Sequence, residues 1–84
     1  MNLYQLRYFA LLAQTGHFRK TAEQLCIAQP SLSHAISLLE KELGVTLFEK
    51  QGRRSVLTPE GTEFLKYVAK SLLALDAGIL NMHH

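Results

Sequence analysis

The sequence predicts a mainly α fold: a three-helix core, a short two-stranded wing and a long C-terminal helix. Three observations carry this. Apolar residues recur at helical spacing in three early stretches, two short apolar runs flank a polar, glycine-containing segment between positions 45 and 57, and a stripe with a period of 3.5 residues runs from Leu65 to Ile79. The chain has 84 residues, 48% of them hydrophobic, and only two prolines, so it is one small folded unit and not a disordered tract. At this size a core buries a limited share of the unfolded surface, and help from a partner chain is expected.

The first helix is expected from Leu3 to Gln14. Leu3, Leu6, Phe9 and Leu12 or Ala13 form its buried stripe, and Gly16 supplies a left-handed stop. Tyr4, Arg7 and Tyr8 fall off that stripe and read as solvated or supporting residues. The second helix is Phe18 to Leu25, with Phe18, Ala22 and Leu25 on one face. After Cys26-Ile27-Ala28 a third helix opens at Gln29-Pro30, because proline suits the first turn, where its missing N–H is not needed. Leu32, Ile36, Leu39 and Leu43 then step by four, three and four, which places them on one buried side. The other side carries Pro30, Ser33, His34, Ser37 and Lys41, and no carboxylate stands between Glu23 and Glu40. A polar face free of negative charge is what a recognition helix needs in a DNA groove. A merely solvated hairpin shows the same pattern.

Gly44 ends that helix. Val45, Leu47 and Phe48 are apolar, Glu49 to Arg54 is polar with Gly52, and Ser55-Val56-Leu57 returns to apolar, which reads as two short strands around a loop. Two strands alone are marginal and must lean on the helices, as the wing does in winged helix-turn-helix domains. Arg53 and Arg54 at the tip suit DNA contact, Arg53 above all, although charged residues also discourage unwanted pairing at a strand edge. Thr58-Pro59-Glu60 announces the last helix with a capping hydroxyl, a first-turn proline and a carboxylate near the positive end of the helix dipole. It is expected to run to about Leu80. Leu65, Val68, Leu72, Leu75 and Ile79 step by three, four, three and four, the period of a seam between helices. Leu65 and Val68 can equally pack on the domain itself, with the stripe free only from Leu72 onward. The division expected is a DNA-binding domain over residues 1–57, a dimerisation helix over 58–82, and a possible tag remnant at His83 and His84.

The segment AEQLCIAQPSLSHAISLLEKELGVTLFEKQGRRSVLTPEG resembles the N-terminal domains of LysR-type transcriptional regulators, which follow the pattern A..L..(S/A)QP.LS..I..LE..LG..LF.R......T..G. The resemblance runs from Leu3 to about Leu72. It implies sequence-specific binding of double-stranded DNA by a bacterial transcription factor, with the recognition helix over residues 30–43 in the major groove and the wing in the minor groove. It also implies a homodimer on an inverted repeat, the last helix pairing with its twin. Base readout maps onto Gln29, Pro30, Ser31, Ser33, His34 and Ser37, and phosphate contact onto Arg19, Lys20, Lys50, Arg53 and Arg54. Leu65, Val68, Leu72, Leu75 and Ile79 would form the dimer interface. Many relatives carry arginine where His34 stands and glutamine where Ala35 stands, so this chain lacks a bidentate guanine donor there. Those regulators are longer, and a small-molecule effector would act only through a C-terminal domain absent here.

Other classes fit less well. The net charge of +2 is weak, so a nucleic-acid reading rests on where the charges sit. A helical protein-interaction module without DNA binding explains the last helix but not the acid-free hairpin face or the paired arginines. Ser33, His34 and Asp76 have the residue types of a hydrolytic triad, but Ser33 and His34 are consecutive on a helix and no glycine elbow presents the serine, so no enzyme is expected. His17, Cys26 and His34 lack the paired spacing of structural zinc sites, so neither metal nor cofactor is expected. The lone Cys26 suits a reducing cytoplasm and reads as a buried turn thiol. No apolar run approaches the ~20 residues that span a bilayer, and no signal-peptide segment opens the chain. A cytoplasmic protein is the expectation.

Overall fold

The first helix starts where Asn2 can cap it. In the computed structural model, which describes residues 1–83, Asn2 accepts a hydrogen bond from the Gln5 backbone N–H while the Gln5 side chain accepts one from the Asn2 N–H. This reciprocal cap satisfies two otherwise orphan donors of helix α1 (Leu3–Thr15). It also corrects the expected stripe. Gln5 is buried, whereas Leu3 stays 42% exposed, because the cap folds the glutamine back over the helix start. Gly16 ends α1 with φ of 75°, the left-handed stop expected there.

Helix α2 (Phe18–Leu25) spans the residues expected of it. Its buried Thr21 donates to the His17 carbonyl at 2.8 Å and exchanges a hydrogen bond with Thr15, which locks the turn between α1 and α2. Cys26 follows as a left-handed cap with φ of 58°, and its thiol is exposed. The expectation of a buried turn thiol is therefore wrong: the left-handed backbone turns this side chain outward. Helix α3 (Gln29–Leu43) opens with Pro30 in its first turn and closes on Gly44, φ 72°. Leu32, Ile36 and Leu39 are buried and Leu43 is half-buried, as the stripe requires. They meet Phe9 and Leu12 of α1, Ala22 of α2, and Leu47 and Phe48 in one core. Phe9 sits at the centre, its ring 5.5 Å from that of Phe48 and 5.4 Å from that of Phe64.

Strands β1 (Phe48–Gln51) and β2 (Arg54–Leu57) pair antiparallel, with Phe48 opposite Leu57 and Gln51 opposite Arg54. The pairing leaves a two-residue turn, Gly52-Arg53. Gly52 has φ of 63° and Arg53 does not share that sign, the arrangement of a type II′ hairpin. The strands thus lie further along the chain than the apolar runs suggest. Glu49 to Gln51, expected in the loop, are strand, because the hydrogen-bond register and not apolarity extends the hairpin to its tightest turn.

Helix α4 (Pro59–Asn81) is capped by Thr58, whose hydroxyl accepts from the Gly61 N–H at 3.0 Å and donates to the Thr46 carbonyl at 2.6 Å. Gly61 lies so close to the chain before β1 that a Cβ there would stand 2.2 Å from the Leu47 carbonyl oxygen. Further along, Val68 is only 3% exposed within the core, and Leu65 and Leu72 pack at its edge. The Arg7 guanidinium of α1 pairs with Asp76 at 2.8 Å. The hydrogen bond from Arg7, reinforced by its charge, holds the Asp76 carboxyl below its ordinary value of 3.8. A group with a lowered folded-state value contributes stability above its unfolded value and loses it as pH falls through the folded one, so this tie is complete at neutral pH and released only in acid. The pair is exposed, which keeps its contribution small. Among the described residues no helix is long and apolar enough to cross a membrane. His84 lies outside the described residues.

The carbonyl facing Gly61 belongs to backbone, which yields less readily than a side chain. Gly61→Ala is therefore expected to lower unfolding stability by about 1–3 kcal/mol, the usual range for overpacking, in a urea titration. An unchanged midpoint would mean that α4 does not seat on Leu47 as described.

Candidate nucleic-acid interface

One side of the molecule gathers basic and polar side chains from three elements. A cleft of about 420 Å³ opens between the start of α2, the start of α3 and the wing. Arg19 and Lys20 enter it from α2, Gln29 and Ser33 from α3, and Lys50 and Arg53 from the wing. Six expected site residues separated by up to 34 positions in the chain thus share one concavity (Arg53 minus Arg19). His17, Phe18 and Ser55 complete the lining. None of these three was picked out as a site residue by the sequence, because their placement depends on how the wing docks.

That docking rests on one backbone–backbone hydrogen bond and on one side-chain carboxylate that accepts from two backbone amides. The Ser55 N–H donates to the Gly16 carbonyl at 2.8 Å, which ties β2 to the turn between α1 and α2. One Glu40 carboxylate oxygen accepts from the backbone N–H of Leu47 at 2.7 Å and of Phe48 at 3.3 Å, which ties the end of α3 to the start of β1. Glu40 is the first carboxylate after the acid-free stretch of α3, and its charge is turned toward these amides. The wing therefore stands at a fixed position beside α3.

The remaining expected residues are distributed differently. Ser37 lines a second, smaller groove with Ser33 and Lys50, and Glu40 and Glu49 also lie on that groove. Pro30, Ser31 and His34 are exposed on α3 outside both concavities, free to face a ligand laid along the helix. Arg54 is exposed but lies beside Gly16: a Cβ on that glycine would come within 2.8 Å of the guanidinium. It is thus set back from the tip, where Arg53 alone occupies the turn. Away from this face, Leu75 and Ile79 of α4 are 40% and 47% exposed. Val68 is taken up by the chain's own core. Leu73 and Leu80, 74% and 75% exposed, add an apolar edge that the 3.5-residue stripe omits.

Residues 3–62 match the family described as bacterial regulatory helix-turn-helix protein, lysR family. The chain belongs to the LysR family. It is 46% identical over 77 residues to the HTH-type transcriptional regulator IlvR of Caulobacter vibrioides, covering 92% of this chain and 26% of that protein. It is also 46% identical over 76 residues to the regulator BenM of Acinetobacter baylyi, covering 90% of this chain and 25% of BenM. The chain thus spans about a quarter of the length of these relatives. Their descriptions are of transcriptional regulators, not enzymes. Among solved structures, the BenM DNA-binding domain in complex with benA site 1 DNA superposes with a TM-score of 0.92 at 42% identity, covering 99% of this chain and 96% of that one. The fold is accordingly the winged helix-turn-helix of LysR-type DNA-binding domains.

In this LysR-type domain the wing takes its position from Glu40. Glu40→Ala leaves two backbone donors unpaired, and a lost partner of this kind costs about 1–3 kcal/mol. We expect lower stability in urea together with faster amide exchange at Leu47 and Phe48. Unchanged exchange at those two amides would show that the carboxylate does not hold the wing.

Proposed function

We propose that this LysR-type DNA-binding domain recognises a specific duplex sequence as a homodimer, with α3 in the major groove and the wing in the adjacent minor groove. The observation that carries the reading is the cleft in which Arg19, Lys20, Lys50 and Arg53 surround the start of α3, without a carboxylate among its lining residues. Phosphates of a duplex laid against this face would meet cations on both flanks of the helix. The polar residues between them then face base edges. Gln29 has the amide geometry to pair bidentately with adenine, Pro30 can pack on a thymine methyl, and Ser31, Ser33 and Ser37 can reach a base edge or phosphate. His34 offers a single hydrogen bond where a guanidinium would offer two. Arg53, at the hairpin turn, is placed to enter a narrow minor groove, whose negative potential attracts arginine.

The dimer reading rests on α4. Its first turns are committed to the core through Gly61, Phe64 and Val68, whereas Leu75, Ile79, Leu73 and Leu80 lie in solvent. Fully burying one such side chain stabilises by ~1.5–3 kcal/mol before the entropy cost of association. A two-fold axis through paired α4 helices makes the DNA site an inverted repeat with half-site centres about one helical turn, ~34 Å, or a multiple apart.

Three experiments test these points. For a dimer making roughly eight phosphate contacts, the log–log dependence of affinity on salt is expected to have a slope near −7. Gln29→Ala should cost ~1–3 kcal/mol on a selected site and much less on random duplex, while Arg53→Ala weakens both. Equal losses for Gln29→Ala on the two duplexes would demote it to a backbone contact. For the dimer, Leu75→Glu with Ile79→Glu places charge on the free part of the seam and spares the core. The expected outcome is a monomer by sedimentation that binds a full inverted repeat far more weakly and a single half-site almost as well as before. A double variant that remains dimeric would put the interface elsewhere.

A further inference from the structure

His17 lines the basic cleft as the cap residue of α2, yet its side chain makes no capping hydrogen bond. Its backbone is occupied: the N–H donates to the Thr15 hydroxyl at 3.1 Å and the carbonyl accepts from Thr21, so the residue is held in place in the lining of the cleft. The charged groups that share the cleft with it are Arg19 and Lys20 of α2 and Lys50 and Arg53 of the wing, with the neutral Gln29 and Ser33 from α3 and Ser55 from β2. From the end of α1 it meets the Thr15 hydroxyl, and Arg54 lies beside the adjoining Gly16. Glu40 and Glu49 line the neighbouring groove instead, and Glu40 is held by the Leu47 and Phe48 amides.

We propose that His17 is a proton-linked phosphate contact: in the protonated form its imidazolium joins the four cations of the cleft on a backbone phosphate of bound DNA. The inference rests on the reading that a duplex lies across α3 and the wing. Imidazole is the side chain that changes charge between about pH 5 and 8. Among the described residues the lining of the cleft holds only cations and neutral groups, so the free cleft offers the imidazolium no counter-charge. An arriving phosphate supplies one, and an opposite charge within ~4–6 Å favours the charged form. Binding therefore takes up a proton, and by linkage the affinity rises as pH falls. The same contact displaces one more counterion when the ring is charged, so pH and salt dependence are coupled. In the neutral form the ring remains a single hydrogen-bond donor of ordinary strength.

The test is the binding of a fluorescein-labelled mixed-sequence duplex, several helical turns long, by the wild-type chain and by His17→Gln, His17→Arg and His34→Gln, each checked for fold by circular dichroism. Fluorescence anisotropy would be read at about pH 6 and pH 8 over a salt series. The wild-type chain is expected to bind about tenfold more tightly per half-site at the lower pH, the worth of one charge-assisted contact, with a salt slope steeper by about 0.9. In His17→Gln both differences should vanish, and His17→Arg should show the tighter, steeper behaviour at both pH values. His34→Gln should keep the wild-type pH response. A bound duplex whose pH response survives in His17→Gln, or disappears in His34→Gln alone, overturns the assignment. Absence of duplex binding by the wild-type chain at either pH would instead remove the DNA reading itself, and this inference with it.

Discussion

The peptide of Leu47 is the junction on which the rest of the structure depends. Its N–H donates to Glu40 at the end of α3, its carbonyl accepts from the Thr58 N–H at 3.0 Å, and Gly61 of α4 lies against that same carbonyl. Its side chain is fully buried with Phe9, Leu32 and Leu39. One residue between α3 and β1 thus ties together α3, the hairpin beside it and α4. A backbone amide and carbonyl removed from water must be paired, and here each pairing partner lies on a different element. Displacing any of the three leaves a buried polar group without its partner, so the geometry of the interface is inherited from the packing of the core.

Charge is placed with comparable economy. The chain carries a net +2, too little to attract nucleic acid by its overall field alone. Four of its nine Lys and Arg residues nevertheless line one cleft, and the first carboxylate of α3 is turned away from it into the hydrogen bonds that hold the wing. The positive charge is therefore concentrated locally and not spread over the whole molecule. The family relationship and the likeness to a DNA-bound LysR-type domain agree with this distribution.

Helix α4 belongs to two environments. Up to Val68 it is a core helix, closed against the wing by Gly61 and against α1 by Phe64 and Phe9. Leu72 lies on the boundary, and beyond it Arg7 and Asp76 supply a polar tie where apolar contact with the core ends. A continuous stripe of 3.5-residue period covers both parts, although only the first part meets the chain's own core. The chemistry of the two halves differs less than their surroundings do.

Much of this was determined by the sequence on its own. Local rules placed the helices: prolines in the first turns of α3 and α4, Gly16 and Gly44 at left-handed stops, and apolar steps of three and four that name Leu32, Ile36 and Leu39 as core. The absence of acid along the first half of α3 and the arginine at the hairpin turn were likewise legible, since these are properties of neighbours along the chain. What only the tertiary structure decided are the features set by residues far apart in sequence. The burial of Gln5 and exposure of Leu3 follow from a reciprocal cap, and the outward thiol of Cys26 from a left-handed backbone, neither of which apolar periodicity reports. The strand ends follow from cross-strand hydrogen bonds, and so include the polar Glu49 to Gln51. The presence of His17 and Ser55 in the cleft follows from the bond between Ser55 and Gly16, which brings the wing against the start of α2. Periodicity records which face of a helix is apolar; only the packed chain decides what that face meets, because the contacts that bury it come from elsewhere in the sequence.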